Sequence, residues 1–149
     1  MYLHDRAGQD VERKASVVYV MVDILHPEDV LGFCTLSAAS LPKKKWSGSQ
    51  RRRLQLPEYS EIPVTRLGRF AVDKQCQGRG YGKLLLFSAL KRSYQQSIYV
   101  ASAAVIVEAK GTSSAAFYKA HEFLPFQDND LQLYLSMKTI ELTMQSVTP

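Results

Sequence analysis

Three glycines alternate in the segment Gln77-Gly78-Arg79-Gly80-Tyr81-Gly82, which lies between a predicted strand and a predicted helix. Glycine lets the backbone approach a ligand closely and adopt dihedral angles that other residues avoid. The first turn of a helix adds unpaired N–H donors and a partial positive charge. Arg79 and Lys83 place cationic side chains in the same segment. Together these features predict a phosphate-binding turn.

Two common nucleotide-binding motifs do not fit this turn. A P-loop would require glycine at position 77 and Ser or Thr after the lysine, but the chain has Gln77 and Leu84 there. A Rossmann fingerprint would place its third glycine on Lys83 or Leu85. The pattern that fits is Q-x-x-G-x-G. The structural alternative, a glycine-rich turn without a ligand, remains open on these six letters alone.

The Q-x-x-G-x-G pattern is that of the pyrophosphate site of the GNAT acetyltransferases, and the surrounding sequence resembles this superfamily. Residues 67–73 resemble its central strand, and Ala116-Phe117-Tyr118 followed by Phe123 resembles its later junction of helix and strand. The resemblance implies a GNAT fold, N-acetyltransferase activity and acetyl-CoA as co-substrate. The residues it assigns to acetyl-CoA are Phe70, Ala71, Val72, Gln77, Gly78, Arg79, Gly80, Tyr81, Gly82 and Lys83.

A narrower resemblance links the chain to the acetyltransferase toxins of bacterial type II toxin–antitoxin pairs. It rests on residues 67–82, on Gly32-Phe33-Cys34-Thr35-Leu36-Ser37-Ala38 and on Leu133-Tyr134-Leu135-Ser136-Met137-Lys138. Members of that group acetylate the free amino group of aminoacyl-tRNA. Their usual partner is a ribbon-helix-helix antitoxin, and dimers are common among them. The resemblance implies the same acceptor and antitoxin class here, and a homodimer as a possible state.

The chain departs from this group in two places. The group begins with an additional strand and helix before the segment that resembles residues 9–13, so we expect this chain to lack that first strand and helix. The group also has glycine before the phenylalanine of the last junction, where this chain has Glu122. Glycine suits a left-handed helix end. We therefore expect either that His121 or Glu122 adopts that conformation at an energetic cost, or that the helix ends in a different way.

The chemistry of the acceptor favours an α-amine. A free α-amino group has a pKa of about 7.7 to 8.0, whereas that of lysine is about 10.4. An α-amine is thus partly neutral at cellular pH without a strong base. The resemblance assigns charge stabilisation to a backbone N–H around residues 70–72, and protonation of the leaving thiolate to Tyr118. The structural alternative for Tyr118 is a helix tyrosine packed in the core.

A basic segment surrounds Trp46 and contains six cations within eleven residues. Such a segment suits a nucleic-acid backbone, and here we interpret it as a candidate tRNA surface. The alternative is a solvated, charged loop. The six residues are Lys43, Lys44, Lys45, Arg51, Arg52 and Arg53.

Composition limits the class of protein. The chain has 149 residues, 46% of them hydrophobic, which predicts one globular domain covering 1–149. It has no apolar run long enough for a membrane span and no signal peptide at its start, so we expect a cytoplasmic protein with no membrane partner. The two cysteines and the scattered histidines His4, His26 and His121 predict neither disulfides nor a metal site.

The hydrophobic pattern predicts a mixed α/β (α+β) chain around one sheet, mostly antiparallel, twisted and flanked by helices. A first helix ends near residue 14, and residues 41–63 form a loop region with one or two short helices. The predicted strands are 16–22, 30–36, 64–72, 103–107 and 131–137, the first two joined by a turn at 26–29. The other predicted helices are 83–96 and 113–120, the second with Thr112 as its N-cap.

Two other functions remain open from sequence. The chain could be a GNAT enzyme that acts on a small amine or a protein N-terminus. It could also be a shortened, non-catalytic relative that binds only antitoxin or nucleic acid.

Overall fold

The computed structural model describes residues 2–147 as an α/β protein. The helices are α1 (Tyr2–Asp5), α2 (Ala7–Glu12), α3 (Gly48–Leu54), α4 (Tyr81–Ser97), α5 (Thr112–Ala120) and α6 (Met137–Val147). The strands are β1 (Val17–Val22), β2 (Val30–Pro42), β3 (Glu61–Val72), β4 (Ala104–Glu108), β5 (Leu124–Phe126) and β6 (Asn129–Ser136). They form one six-stranded sheet in the order β1-β2-β3-β4-β6-β5. The predicted fold class is confirmed.

Most predicted elements are present, with three corrections. The prediction that strand 131–137 closes the chain is wrong, because α6 follows β6 and buries Met137, Ile140 and Met144 at helical spacing. Strand β5 was not predicted. It is three residues long and contains a proline, which an edge strand tolerates. Thr112 is not the N-cap of α5, because Gly111 occupies that position without a side-chain cap.

The Cα positions group into two compact units, of which the first comprises Met1–Ser37 and Leu67–Leu90. Within it β1 and β2 pair antiparallel. The predicted turn between them is confirmed, because the Asp29 N–H donates to the His26 carbonyl at 2.9 Å. Its buried side chains include Cys34, Leu67, Leu85, Leu86 and Ala89.

The second unit comprises Ala38–Arg66 and Lys91–Pro149. Its centre is an aromatic cluster in which Trp46 meets Phe126 and Tyr134 edge to face, at ring-centroid distances of 5.0 and 4.9 Å. Such geometry adds to the hydrophobic burial of each ring. Strand β6 pairs antiparallel with β4 on one side and β5 on the other.

Among residues 2–147, no helix combines the length and apolarity that a membrane crossing requires.

Candidate functional site

The glycine turn lies between β3 and α4 in the first unit. Asp73 caps a short 3₁₀ turn after β3, where its Oδ1 accepts from the Gln75 N–H at 2.8 Å. Gly78 and Gly80 then adopt φ angles of +82° and +80°. Non-glycine residues avoid these angles, which explains the two glycines. A Cβ added at either position would meet no described atom within 4 Å, so the backbone of the turn is accessible to a ligand.

The turn has the electrostatics of an anion site. Helix α4 begins at Tyr81, its first turn holds Gly82 and Lys83, and that turn contains no acidic residue. Lys83 and Arg79 are both exposed, which allows either cation to reach a bound anion. The 17-residue helix directs its unpaired N–H groups and positive dipole end toward the same place. These residues fit a pyrophosphate group.

Gln77 has a structural part in this arrangement. Its Nε2 donates to the Val72 carbonyl at 3.3 Å, which ties the start of the turn to the last residue of β3. The glutamine of the Q-x-x-G-x-G pattern therefore holds the turn against the strand that precedes it.

The peptide groups at the end of β3 alternate in direction. The Arg69 N–H donates to Thr35 Oγ1 on β2 at 2.8 Å, and the Asp73 N–H donates to the Leu31 carbonyl, also at 2.8 Å. The Ala71 carbonyl lies 2.8 Å from a Cβ built on Gly32. The backbone N–H and C=O groups of residues 69, 71 and 73 thus point toward β2. In a strand, the backbone polar groups of successive residues point to opposite edges. The N–H and C=O groups of Phe70 and Val72 therefore point away from β2.

Tyr118 lies in the second unit, in the last turn of α5, and is 7% exposed. The helix ends in a Schellman motif, in which the Phe123 N–H donates to the Tyr118 carbonyl and the Glu122 N–H to that of Lys119, both at 3.1 Å. Glu122 has φ +74°, the left-handed conformation that was expected from sequence for His121 or Glu122. The Tyr118 ring lies 5.4 Å from those of Phe117 and Phe123, so these rings fix its direction.

Two lysines of the basic segment are held by acidic side chains of the second unit. Lys43 pairs with Glu58, and the Lys45 ammonium pairs with Asp128 Oδ1 at 2.9 Å. The hydrogen bond from Lys43 lowers the pKa of Glu58, and that from Lys45 lowers the pKa of Asp128. These two cations are partly neutralised within the protein.

The third engaged cation is Arg53, whose Nη2 donates to the Tyr134 hydroxyl at 3.2 Å. For Lys44, Arg51 and Arg52, the described part of the chain provides no hydrogen bond or ion pair to the charged group. A Ser47–Gln50 capping box starts α3 and so places the arginines in its last turn. No feature of the sequence predicted which of the six cations would have partners within the protein and which would not.

An open groove of about 550 Å³ runs beside these cations. Lys44 and Arg51 contribute to its wall together with Trp46, whose buried Nε1 has no hydrogen-bond partner among the described residues. The groove therefore has positive charge on its wall, whereas Trp46 is 1% exposed and belongs to the buried core of this unit.

The β1–β2 turn holds one exposed group of possible metal donors, His26, Glu28 and Asp29, whose donor atoms lie within 4.8 Å of one another. Exposed acidic groups of this kind are common without an ion. The side chain of His4 lies outside the described residues.

Comparison with known proteins gives a consistent picture. Residues 2–123 match the profile of the acetyltransferase (GNAT) family. A tRNA-acetylating toxin from Mycobacterium tuberculosis is 35% identical over 109 residues, which are 73% of this chain and 63% of that protein. The chain therefore spans less than two thirds of this relative's length.

Two solved structures are similar throughout the chain. AtaT complexed with acetyl-methionyl-tRNAfMet superimposes with a TM-score of 0.85 at 27% identity, over 96% of this chain and 84% of that one. A tyrosine-to-phenylalanine mutant of AtaT, bound to the C-terminus of the antitoxin AtaR and acetyl-CoA, has a TM-score of 0.79 at 25% identity, over 96% and 81%. The GNAT fold predicted from sequence is thereby confirmed.

Proposed function

The chain belongs to the acetyltransferase (GNAT) family, and on that premise we propose that it transfers the acetyl group of acetyl-CoA to the α-amino group of aminoacyl-tRNA. In a cell this reaction would block translation, so the protein would act as a toxin. The observation that carries the proposal is the open turn with Gly78 and Gly80 at positive φ, at the start of a long helix. The tRNA-acetylating relative supports the choice of acceptor.

Acetyl-CoA supplies the acetyl group as an activated thioester. The backbone of residues 77–83 would hold its pyrophosphate, with Arg79 and Lys83 as flexible counter-charges. One backbone N–H, that of Phe70 or that of Val72, both of which face away from β2, is the donor for the acetyl oxygen. A backbone donor of this kind contributes on the order of 3 kcal/mol to the transition state. Ala71 lies between these two residues and would help to fix the positions of their peptide groups in the acetyl-CoA site.

Tyr118 is the general acid of the proposed reaction. A tyrosine of ordinary pKa, about 10, is protonated at neutral pH and can donate a proton to a thiolate whose thiol has a pKa of about 8.5. Its place after Ala116-Phe117 supports this role by resemblance to the family. Because an α-amine is already partly neutral at pH 7, the reaction requires no strong base. As the C–N bond forms and the C–S bond breaks, the attacking nitrogen would release its proton to water, and Tyr118 would regain from solvent the proton that it gave to the thiolate.

The acceptor surface would be the basic segment, where Lys44, Arg51 and Arg52 carry the charges that the protein itself leaves unpaired among its described residues. Phosphate groups of tRNA are the partners that suit such cations. The chain would work as one GNAT domain in the cytoplasm.

A ribbon-helix-helix antitoxin is the proposed protein partner, and a homodimer is the proposed assembly. The AtaT structure with the C-terminus of AtaR supports an antitoxin for this chain too.

Mass spectrometry tests the proposed reaction directly. Bulk tRNA charged with a mixture of amino acids is incubated with the protein and isotope-labelled acetyl-CoA, then digested to aminoacyl-adenosine. A labelled acetyl group on the amino acid supports the proposal. Label found instead on protein N-termini or on added polyamines would contradict it, and so would the absence of label from protein that binds acetyl-CoA by calorimetry.

A further inference from the structure

Strands β2 and β3 approach each other unusually closely in the first unit. A Cβ added at Gly68 would lie 2.8 Å from Thr35 Oγ1, and one added at Gly32 would lie 2.8 Å from the Ala71 carbonyl oxygen. Both distances are shorter than a carbon and an oxygen tolerate without a shift. Gly32 thus leaves room for the Ala71 carbonyl of β3, and Gly68 leaves room for the Thr35 side chain of β2.

The Thr35 hydroxyl occupies the space left at Gly68. Thr35 is 3% exposed, and its Oγ1 accepts the Arg69 N–H at 2.8 Å. A side chain of β2 therefore holds a peptide group of β3 at a point where two main chains would ordinarily pair. A partly buried N–H that loses its acceptor is costly, so removing the hydroxyl would make the Arg69 peptide rotate toward another acceptor.

Rotation at Arg69 would be transmitted to the next peptides. Phe70 follows directly, and the contacts of Ala71 with Gly32 and of Asp73 with Leu31 fix the strand further along. Residues 70–72 of β3, which contain the proposed donor to the acetyl oxygen, are therefore held at both ends. The hydrogen bond to the Thr35 hydroxyl precedes them, and the hydrogen bond from the Asp73 N–H to the Leu31 carbonyl follows them.

We propose that Thr35 is a positioning residue for acetyl transfer, because its hydroxyl fixes the direction in which β3 presents the N–H groups of Phe70 and Val72. This inference rests on the proposed function. It concerns the rate of transfer and leaves the binding of acetyl-CoA largely unchanged, because the pyrophosphate turn begins several residues later and is held locally by the hydrogen bond from the Gln75 N–H to Asp73 Oδ1.

The test compares Thr35→Val, which keeps the shape and removes the acceptor, with Thr35→Ser, which restores it. Acetyl transfer to the charged tRNA pool is measured together with the acetyl-CoA dissociation constant and stoichiometry from calorimetry. We expect kcat to fall by about 10- to 100-fold in Thr35→Val, since misplacement near 1 Å costs about that much. The acetyl-CoA KM should stay within about twofold, and Thr35→Ser should recover most of kcat.

Thr65→Val is the matched control. Thr65 also lies on the sheet and hydrogen bonds through its hydroxyl, to Ser102 Oγ at 2.9 Å, but it is outside the proposed site. Its kcat and KM should remain those of the wild type. The calorimetric stoichiometry corrects each variant for its folded fraction, so a loss of folded protein would not pass for a loss of kcat.

If Thr35→Val fails to fold, Gly68→Ala disrupts the same hydrogen bond in a different way, because the new methyl group would displace the Thr35 hydroxyl. The same fall in kcat at constant KM is expected. Wild-type kcat in either folded variant, or an equal loss in Thr35→Ser, would overturn this inference alone. A wild-type protein that binds acetyl-CoA but transfers nothing to tRNA would overturn the proposed function and, with it, this inference.

Discussion

The division of the basic segment into engaged and available cations predicts two variants with equal charge and different tRNA binding. In the first, Lys44, Arg51 and Arg52 are all replaced by glutamine. These three cations form no ion pair with a described acidic group, and Arg51 acts on Glu58 through its charge alone, which lowers the pKa of Glu58. In the second, the three engaged cations, Lys43, Lys45 and Arg53, are replaced in the same way.

The expected magnitude follows from counterion release. Each phosphate contact contributes about 0.7 to 0.9 to the slope of log K against log salt, so three lost contacts lower its magnitude by about 2 to 3. Between 50 and 200 mM salt, the wild type would then lose about 20- to 40-fold more affinity than the first variant. The second variant should change the slope by less than half as much, because its cations already have partners.

Fluorescence anisotropy of labelled tRNA, measured at four salt concentrations over that range, gives the three slopes. Both triple variants differ from the wild type by the same net charge, so a long-range field would change their slopes equally. Equal slopes for the two variants would therefore refute the prediction that cations already paired within the protein contribute less to tRNA binding. An unchanged slope in both would show that the segment is a solvated loop.

Three further predictions test the site and its supports. Tyr118→Phe should keep acetyl-CoA binding by calorimetry and lose most single-turnover transfer, whereas turnover near that of the wild type would remove Tyr118 from the mechanism. Gly78→Ala, at φ +82° with open space for the methyl group, should weaken acetyl-CoA binding about tenfold through backbone strain of about 1 to 2 kcal/mol. Unaltered affinity would count against the turn as the binding site. Glu122→Gly should relieve the strain at φ +74° and raise the free energy of unfolding by about 1 kcal/mol in a urea titration, and a decrease would contradict the strain argument.

The glycine turn was predictable because its signal is local. Gly78 and Gly80 take the positive φ angles that glycine permits, and the helix they introduce follows directly in sequence. The left-handed conformation of Glu122 was anticipated for the same reason, since the helix end is defined by neighbouring residues. Local patterns also located four of the six strands and most helices to within about three residues, whereas β2 continues six residues beyond its predicted end.

Helix α6 was missed because its pattern begins inside the preceding strand. Met137 is both the last residue of the predicted strand and the first residue of the helix, and a run of apolar residues fits either structure until Ile140 and Met144 are counted. The short β5 carries Pro125, which argues against a strand unless its edge position is known.

Two of the three partners of the basic segment could not be predicted, because they come from distant parts of the chain. Lys45 and Asp128 are 83 residues apart, and Arg53 and Tyr134 are 81 apart. A run of like charges appears uniform in sequence, yet the acceptors that pair with some of its members are placed by β5, β6 and the loop between them. Which cations are available on the proposed tRNA surface therefore depends as much on where the fold places Asp128 and Tyr134 as on the cations themselves.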